Sequence, residues 1–321
     1  MTGLTGSGIN REDSHLSDTL QSMTDATDAA ATIHRDRSLR FLFEDADIRG
    51  ETAHLDNAYR DILAIHQYAP GVSRLLGEFL AAAVLLSTNL KFEGKLILQV
   101  RSEGQIPLLM VECDDKLRVR GIASGAQEAT SNSNEQLLAK GQLAITIDPT
   151  HGQRYQGIVP LRQGSLADSL DAYFEQSEQL KTRVWLAADG QRAAGLLLQQ
   201  LPAQITTDEE LTQQHWEHCC TLAATVTAEE LLQLNTENLL YRLYHEDPVR
   251  LFEPSPVCFH CNCSVERTFN ALATLGSAEI EDILLEMGAV TMDCEFCNQQ
   301  YRFERDDLID VLGSGESKTL H

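Results

Sequence analysis

The sequence CFHCNC at residues 258–263, followed by CEFC at residues 294–297, decides how the C-terminal part of this chain is built. These two segments hold five of the eight cysteines in the chain. Two close pairs of thiols brought together by a folded spacer, here the 30 residues 264–293, are the usual construction of a four-sulfur zinc site. The pattern therefore predicts a small unit that holds one Zn²⁺ ion through four thiolates.

The spacing leaves two possible sets of ligands. Cys294 and Cys297 suit a tight zinc-binding turn, and Asn298 follows at a place where a left-handed residue is often needed. The other half of the site is either the pair Cys261 and Cys263 or the pair Cys258 and Cys261. On spacing alone, the second pair is the ordinary choice of a zinc ribbon, and both sets stay open.

The size and charge of the unit around the cysteines argue against nucleic-acid binding and indicate that the unit depends on its metal. Residues 257–313 contain 11 Asp and Glu, three Arg and no Lys, so the local charge opposes phosphate binding. A unit of this length has marginal stability from its core alone, whereas a structural zinc ion contributes on the order of 10–16 kcal/mol. We expect the unit to unfold without metal, and oxidation of its thiolates to eject the ion.

Composition sets the broad class of the protein. The chain has 321 residues, long enough for two domains, and a formal net charge of −23. No run of 18 or more apolar residues occurs, so we expect no membrane span. Residues 1–36 are acidic and have no apolar core of a signal peptide, which favours the cytoplasm. Thiols stay reduced there, so clustered cysteines are metal ligands or redox centres rather than structural disulfides.

The chain divides into five predicted segments. Residues 1–36 read as a disordered extension, residues 37–204 as an α+β core domain, residues 205–256 as a helical linker, residues 257–313 as the zinc-binding unit and residues 314–321 as a tail. The predicted fold class is α+β, with a mixed or antiparallel sheet and packed helices. Local succession of strands from Leu96 onward supports the antiparallel pairing.

Four local signals fix the predicted helices. A helix over residues 73–90 is apolar on more than one face and should be buried, with Ser73 as its N-cap. Capping-box spacing begins two linker helices at Thr207 and Thr227. Ser264 should cap a helix that runs to Leu275.

Several segments together resemble one known family, the 33 kDa chaperonins, which are redox-regulated heat-shock holdase chaperones. The resemblance runs from about Arg40 to Asp310. Its carriers are Phe41-Leu42-Phe43-Glu44, Ile48-Arg49-Gly50-Glu51, Leu90-Lys91-Phe92-Glu93-Gly94, Arg154-Tyr155-Gln156-Gly157, Tyr173-Phe174, Ser177-Glu178-Gln179-Leu180, Leu243-Tyr244-His245-Glu246, Cys261-Asn262-Cys263-Ser264 and Asp293-Cys294-Glu295-Phe296-Cys297. The last two, a CxC and a CxxC at this distance, are the most specific.

The resemblance implies both a ligand set and a mechanism. It implies that Cys261, Cys263, Cys294 and Cys297 bind one Zn²⁺ in an inactive reduced form. It further implies that oxidation forms the disulfides Cys261–Cys263 and Cys294–Cys297, releases zinc, unfolds the C-terminal unit and destabilises the linker. It also implies that the apolar surface exposed in this way binds unfolding client proteins and prevents their aggregation without ATP, typically in a homodimer. The resemblance implies no catalytic residues.

Four further cysteines lie outside this set of ligands, and Cys258, Cys219 and Cys220 depart from the family pattern. Cys258 is an extra thiol beside the site that would compete for zinc or pair with Cys261, although we interpret it as a bystander. Cys219 and Cys220 lie on a predicted linker helix, and Cys113 lies on a predicted strand. We interpret these three as small packing residues.

Two other classes of function compete with the chaperone. A zinc-ribbon module for nucleic acid or translation would need a basic surface near the cysteines, which the acidic composition opposes. A thiol oxidoreductase would need its CxxC at the start of a helix, whereas Cys294 and Cys297 lie between two strand-like segments. We therefore predict a protein that binds neither nucleic acid nor membrane and is not an enzyme.

Overall fold

The computed structural model describes residues 36–88, 93–162, 165–178 and 180–309. The predicted extension apart from residue 36, residues 90–92 of one family segment and the predicted tail lie outside the described residues.

Two sheets form the core. Their strands are β1 (Arg37–Phe43), β2 (Ile48–Leu55), β3 (Gly94–Arg101), β4 (Leu108–Asp114), β5 (Arg118–Ser124), β6 (Gln142–Pro149), β7 (Tyr155–Pro160), β8 (Thr182–Ala188) and β9 (Ala193–Gln200). The first sheet has the order β1-β2-β9-β8 and the second the order β5-β4-β3-β6-β7, and every one of these ladders is antiparallel. The predicted strands from Leu96 onward are confirmed, and the structure adds β1 and β2.

One long helix fills the space between the two sheets. The core helices are α1 (Asn57–Leu63), α2 (Pro70–Ser87), α3 (Asn134–Leu137) and α4 (Leu166–Tyr173). Helix α2 approaches both sheets so closely that a methyl group on Gly195 in β9 would lie 2.7 Å from Leu85, and one on Gly121 in β5 would lie 3.1 Å from Leu76. The prediction of a buried helix is confirmed. The predicted cap was wrong, because Pro70 starts the helix one turn earlier and Ser73 is buried inside it.

The burial of α2 argues against reading this apolar helix as a membrane span. Helix α2 is the one helix within the described ranges that is long and apolar enough to cross a bilayer, yet 78% of it is buried inside the protein. Core helices of globular proteins have the same length and composition, so this helix is weak support for a membrane span.

Three helices of the linker cover the outer face of the first sheet. They are α5 (Glu209–Ala223), α6 (Ala228–Gln233) and α7 (Thr236–Tyr244). Because side chains alternate along a strand, Leu197 of β9 points toward α2 whereas Leu196 and Leu198 pack with the linker. The apolar cluster between linker and sheet includes Phe41, Phe43, Ala194, Leu196, Leu198, Trp216, Cys219, Leu231, Leu239, Leu240, Leu243 and Tyr244.

Polar contacts fix the position of the linker on the sheet. The Thr52 and Thr236 hydroxyls are 2.8 Å apart and buried, and Arg37 pairs with Glu237 at 2.8 Å. The predicted capping box at Thr227 is confirmed, whereas α5 is capped by Asp208 rather than Thr207. The shift follows from chemistry, since the carboxylate of Asp208 accepts from two backbone amides at once.

The chain returns to the core twice after the linker helices. Strands β10 (Val249–Leu251) and β11 (Ser255–Pro256) pair with β1, and β12 (Cys258–Phe259) pairs with β5 in parallel. These short strands were not predicted. They pair residues of the predicted linker and of the predicted zinc-binding unit with strands of the core domain. The domain boundaries after residues 204 and 256 stay predictions.

The C-terminal unit is small. It contains α8 (Val265–Leu272), α9 (Ser277–Met287), β13 (Val290–Asp293), β14 (Gln300–Phe303) and a final 3₁₀ turn (Arg305–Leu308). Ser264 caps α8 as predicted, but the helix ends at Leu272, before the predicted Leu275. With this unit, the covered sheet and the central helix, the predicted α+β class is confirmed.

One buried carboxyl on β2 makes the stability of the core dependent on pH. Burial raises the pKa of Glu51 to about 7, although the Ser38 hydroxyl donates to it at 2.6 Å. Since the folded state holds this proton more tightly than the unfolded state, stability is lost as pH rises from about 4.5 through 7, by roughly 3 kcal/mol. We expect Glu51→Gln to make this part of the pH profile shallower by the contribution of Glu51, in urea unfolding measured from pH 4 to pH 8. Glu44→Gln, at an exposed position, should leave the profile as in the wild type.

Candidate metal centre

The two halves of the cysteine cluster come from opposite ends of the C-terminal unit. Cys261 and Cys263 lie in the extended segment between β12 and α8, whereas Cys294 and Cys297 lie on the turn between β13 and β14. The amides of Cys297 and Asn298 both donate to the Cys294 carbonyl, at 3.2 and 2.7 Å. Asn298 has a φ of 56°, which confirms the predicted left-handed residue after the turn.

The four thiols converge on one point. The sulfur atoms of Cys261, Cys263, Cys294 and Cys297 all lie within 4.8 Å of one another. Two separations cross between the halves, with 3.7 Å from Cys261 to Cys294 and 3.4 Å from Cys263 to Cys297. Four sulfurs around a tetrahedral Zn²⁺ at 2.3 Å would be about 3.8 Å apart, so the spacing and the soft donor set fit zinc.

Cys258 is not part of this group. It lies in β12, where its amide donates to the Leu117 carbonyl at 3.3 Å, and its side chain is exposed. The backbone ladder to β5 therefore holds Cys258 on the core sheet while the chain continues to Cys261. Of the two predicted sets of ligands, the structure brings together the one that contains Cys263.

Burial and hydrogen bonds shift the pKa values of the clustered thiols in different directions. Burial raises the pKa of Cys297 and of Cys294. Burial acts in the same direction on Cys263, but hydrogen bonds from the Tyr301 hydroxyl, at 3.1 Å, and from the neighbouring thiols outweigh it and lower its pKa. The same bond to Cys263 raises the pKa of Tyr301 to about 12. Four thiols this close cannot all ionise unless a cation compensates their charge.

The remaining cysteines lie elsewhere. Cys113 is buried in β4, while Cys219 is buried and Cys220 half-buried on α5. Burial raises the pKa of all three thiols, to about 12 for Cys113 and Cys220, which leaves them poor nucleophiles. Their burial agrees with the interpretation of packing residues.

The sequence patterns missed the residues that connect the cluster with the core. Arg120 of β5 lies 3.5 Å from the Cys261 sulfur through one guanidinium nitrogen and covers the Phe296 ring at 4.2 Å. His66 Nε2 donates to the Glu295 carbonyl at 2.6 Å. These pairs are separated by more than one hundred residues in sequence, and no local motif marks them.

Comparison with known proteins decides the family. The profile of the family described as Hsp33 protein matches residues 36–304. The chain belongs to the Hsp33 family. A 33 kDa chaperonin of Pseudomonas paraeruginosa is 52% identical over 295 residues, which cover 90% of this chain and 99% of the relative. The 33 kDa chaperonin of Azotobacter vinelandii is 55% identical over 285 residues, covering 88% of this chain and 96% of the relative.

The fold agrees with a solved Hsp33 structure. The crystal structure of the 33 kDa chaperonin, a heat shock protein 33 homologue, of Thermotoga maritima superposes with a TM-score of 0.74. It covers 87% of this chain and 98% of the other at 21% sequence identity, so this likeness supports the fold alone.

Family membership supports a heat-shock chaperone, and it confirms the predicted resemblance. A chaperone of this family implies unfolded client proteins as partners. These Hsp33 relatives are named as chaperonins, and their names state no enzymatic activity. The four clustered cysteines are compatible with zinc binding and with redox disulfides.

Proposed function

We propose that the protein is a redox-regulated holdase, which binds unfolding proteins without ATP and acts in the cytoplasm. The observation that carries this proposal is the convergence of four thiols within 4.8 Å in a unit that directly follows the linker. The linker in turn covers an apolar sheet face. A change at the thiols can therefore alter how that face is covered.

In the proposed reduced state, Cys261, Cys263, Cys294 and Cys297 hold one Zn²⁺ ion. A bound zinc ion would supply two positive charges and four bonds to sulfur, which stabilise the thiolates and join the two halves of the unit. Cys258 is not included, because the β12 ladder holds it on β5. The proposed cytoplasmic location keeps these thiols reduced in the absence of stress.

Oxidation would convert each pair of ligands into a disulfide. We propose the pairs Cys261–Cys263 and Cys294–Cys297, by resemblance to the family. Each disulfide would form from two thiolates, whose two electrons, with two protons from the solvent, reduce one molecule of hydrogen peroxide to two of water. Sulfurs joined in a disulfide carry no thiolate charge, so the four residues no longer hold a divalent cation.

Loss of the metal should unfold the C-terminal unit because its own core is small. The buried apolar side chains of this unit are Leu272, Ile280, Leu284, Val290, Phe303 and Leu308. A core of six buried apolar side chains gives a unit of this size only marginal stability. Zinc in comparable units contributes on the order of 10–16 kcal/mol, so its release leaves the unfolded state favoured.

Unfolding of this unit would loosen the linker that precedes it. The face below the linker carries Phe41, Phe43, Leu196 and Leu198, all buried by the linker helices. Exposed together, such side chains form an apolar patch that binds unfolded segments of other proteins. The same exposure favours the homodimer that we propose for the oxidised form.

The two disulfides should form in a fixed order. Cys294 and Cys297 already lie on one turn, whereas Cys261 and Cys263 lie two residues apart in a segment without a turn. Since disulfides need Cα separations of 4.4–6.8 Å, the second pair requires local rearrangement. We expect mass mapping after mild peroxide treatment to find Cys294–Cys297 first. Earlier closure of Cys261–Cys263 would contradict this order.

The holdase activity is tested by light scattering of a heat-denatured client protein. The oxidised protein should suppress aggregation in the absence of any nucleotide, and the reduced protein should not. Equal suppression by both forms, or suppression only with ATP, would contradict the proposal.

A further inference from the structure

One arginine of the core sheet contacts both halves of the cysteine cluster. Arg120 lies on β5, in the second sheet, and its guanidinium group contacts the two halves of the cluster at once. One nitrogen lies 3.5 Å from the Cys261 sulfur, and the carbon of the group lies 4.2 Å from the centre of the Phe296 ring. Phe296 lies between Cys294 and Cys297, so a single side chain connects the sheet to both cysteine pairs.

A buried carboxylate holds Arg120 in place. Glu112 of β4 accepts from Arg120 Nε at 3.1 Å and from Nη2 at 2.9 Å, and only 6% of Glu112 is exposed. Lys95 also contacts the same oxygen of Glu112, at 3.2 Å. Glu112 thus holds Nε and Nη2 of the guanidinium group on the core sheet. Nη1 contacts the Cys261 sulfur, and the flat face of the group covers the Phe296 ring.

Three further contacts surround this arginine. The His66 ring donates to the Glu295 carbonyl at 2.6 Å, and the Asn298 amide group donates to the Ile65 carbonyl at 2.8 Å. The short ladder of β12 with β5 attaches the chain just before Cys261. The docked surface is therefore the turn of Cys294 to Cys297, and Arg120 lies at the point where this turn meets Cys261.

We propose that Arg120 is a positioning residue that latches the cysteine cluster to the core sheet. Opening of this latch would set how fast the cluster responds to an oxidant. The docking itself follows from the contacts, whereas the effect on the response rests on the proposed function. Arg120 positions the sulfurs through its contacts with Phe296 and Cys261. It takes no part in the oxidation itself.

The physical basis is access to the half-buried sulfurs. All four cysteines of the cluster are partly covered, and the core contributes part of that cover through β5 and the loop after α1. Removing a cation–π contact and a charged hydrogen bond of ordinary strength raises the population of the undocked state by about tenfold. Peroxide would then reach the sulfurs about tenfold faster, if reaction occurs mainly in the undocked state.

Arg120→Ala tests the latch directly, with Lys95→Ala as the matched control. Both variants remove a cation from Glu112, but Lys95 pairs with Glu112 and Asp148, which lie outside the cluster. Amide exchange followed by mass spectrometry should show about tenfold lower protection at residues 65–66 and 294–298 in Arg120→Ala. Zinc content under reducing conditions should stay unchanged, and thiol trapping should show faster oxidation. Lys95→Ala should match the wild type in all three measurements.

A second variant guards against misfolding of the core. Phe296→Ala removes the ring on the cluster side and leaves the pair of Arg120 and Glu112 intact, so it should reduce the same protection. Wild-type protection and oxidation rates in both variants would overturn the latch, and so would slower oxidation in Arg120→Ala. A wild type whose chaperone activity ignores peroxide would overturn the proposed function instead, while the exchange measurement would still decide whether Arg120 docks the cluster.

Discussion

Cys297→Ser is expected to lose the metal and unfold the C-terminal unit even under reducing conditions. Its sulfur lies 3.4 Å from that of Cys263, so its removal takes one of four donors from the cluster. A serine hydroxyl is a poor ligand for zinc, and the remaining three thiols hold the ion far less tightly. Since the metal contributes on the order of 10–16 kcal/mol to such units, the six buried apolar side chains cannot replace it.

Zinc content per chain and amide exchange over residues 261–308 measure this loss. Cys258→Ser is the matched control, because it removes an exposed thiol three residues from Cys261 and leaves the four-thiol group complete. The control should keep one zinc ion and the protection of the wild type. Full zinc content and a cooperative melt of this unit in Cys297→Ser would show that the ligand assignment is wrong.

Leu240→Asp should raise the chaperone activity of the reduced protein. Leu240 is 4% exposed on α7 and packs into the apolar cluster between linker and sheet. The substitution removes buried apolar area and places a carboxylate among apolar side chains, at a cost of about 4 kcal/mol or more. That penalty weakens the docking of the linker on the sheet, which rests mainly on this apolar cluster, so the detached linker should become more populated.

Suppression of client aggregation, measured with and without peroxide, reads out this detachment. The neighbouring residue supplies the control, since Tyr241 is 66% exposed on the same helix. Tyr241→Asp introduces the same charge one position along and should leave the reduced protein inactive. If the reduced form of Leu240→Asp were as inactive as that control, the linker would not mask the binding surface.

Local signals predicted the parts of the fold that depend on neighbouring residues. The capping box of Thr227 and Glu230 and the left-handed Asn298 each depend on backbone geometry within a few residues. The predicted caps at Ser73 and Thr207 failed for the same kind of reason. Pro70 and Asp208, close by in sequence, are stronger helix starters than the residues chosen.

Features that depend on contacts between distant segments could not be predicted from the sequence. The spacing of the cysteines allowed two ligand sets, and only the parallel pairing of β12 with β5 shows why Cys258 lies apart from the other thiols. Arg120 carries no recognisable pattern around it, because its role depends on a contact with a cysteine 141 residues away. The strands β1 and β2 precede the first helix without a strong turn signal, and they were not predicted.

The central claim is that oxidation of the four thiols and exposure of the binding surface are one event. The most direct test follows zinc release and suppression of client aggregation in the same sample during peroxide treatment. We predict one zinc ion per chain before treatment, parallel time courses of release and activation, and reversal of both by a reductant with added zinc. Activity that is equal before and after peroxide, or that rises while the metal stays bound, would contradict the account.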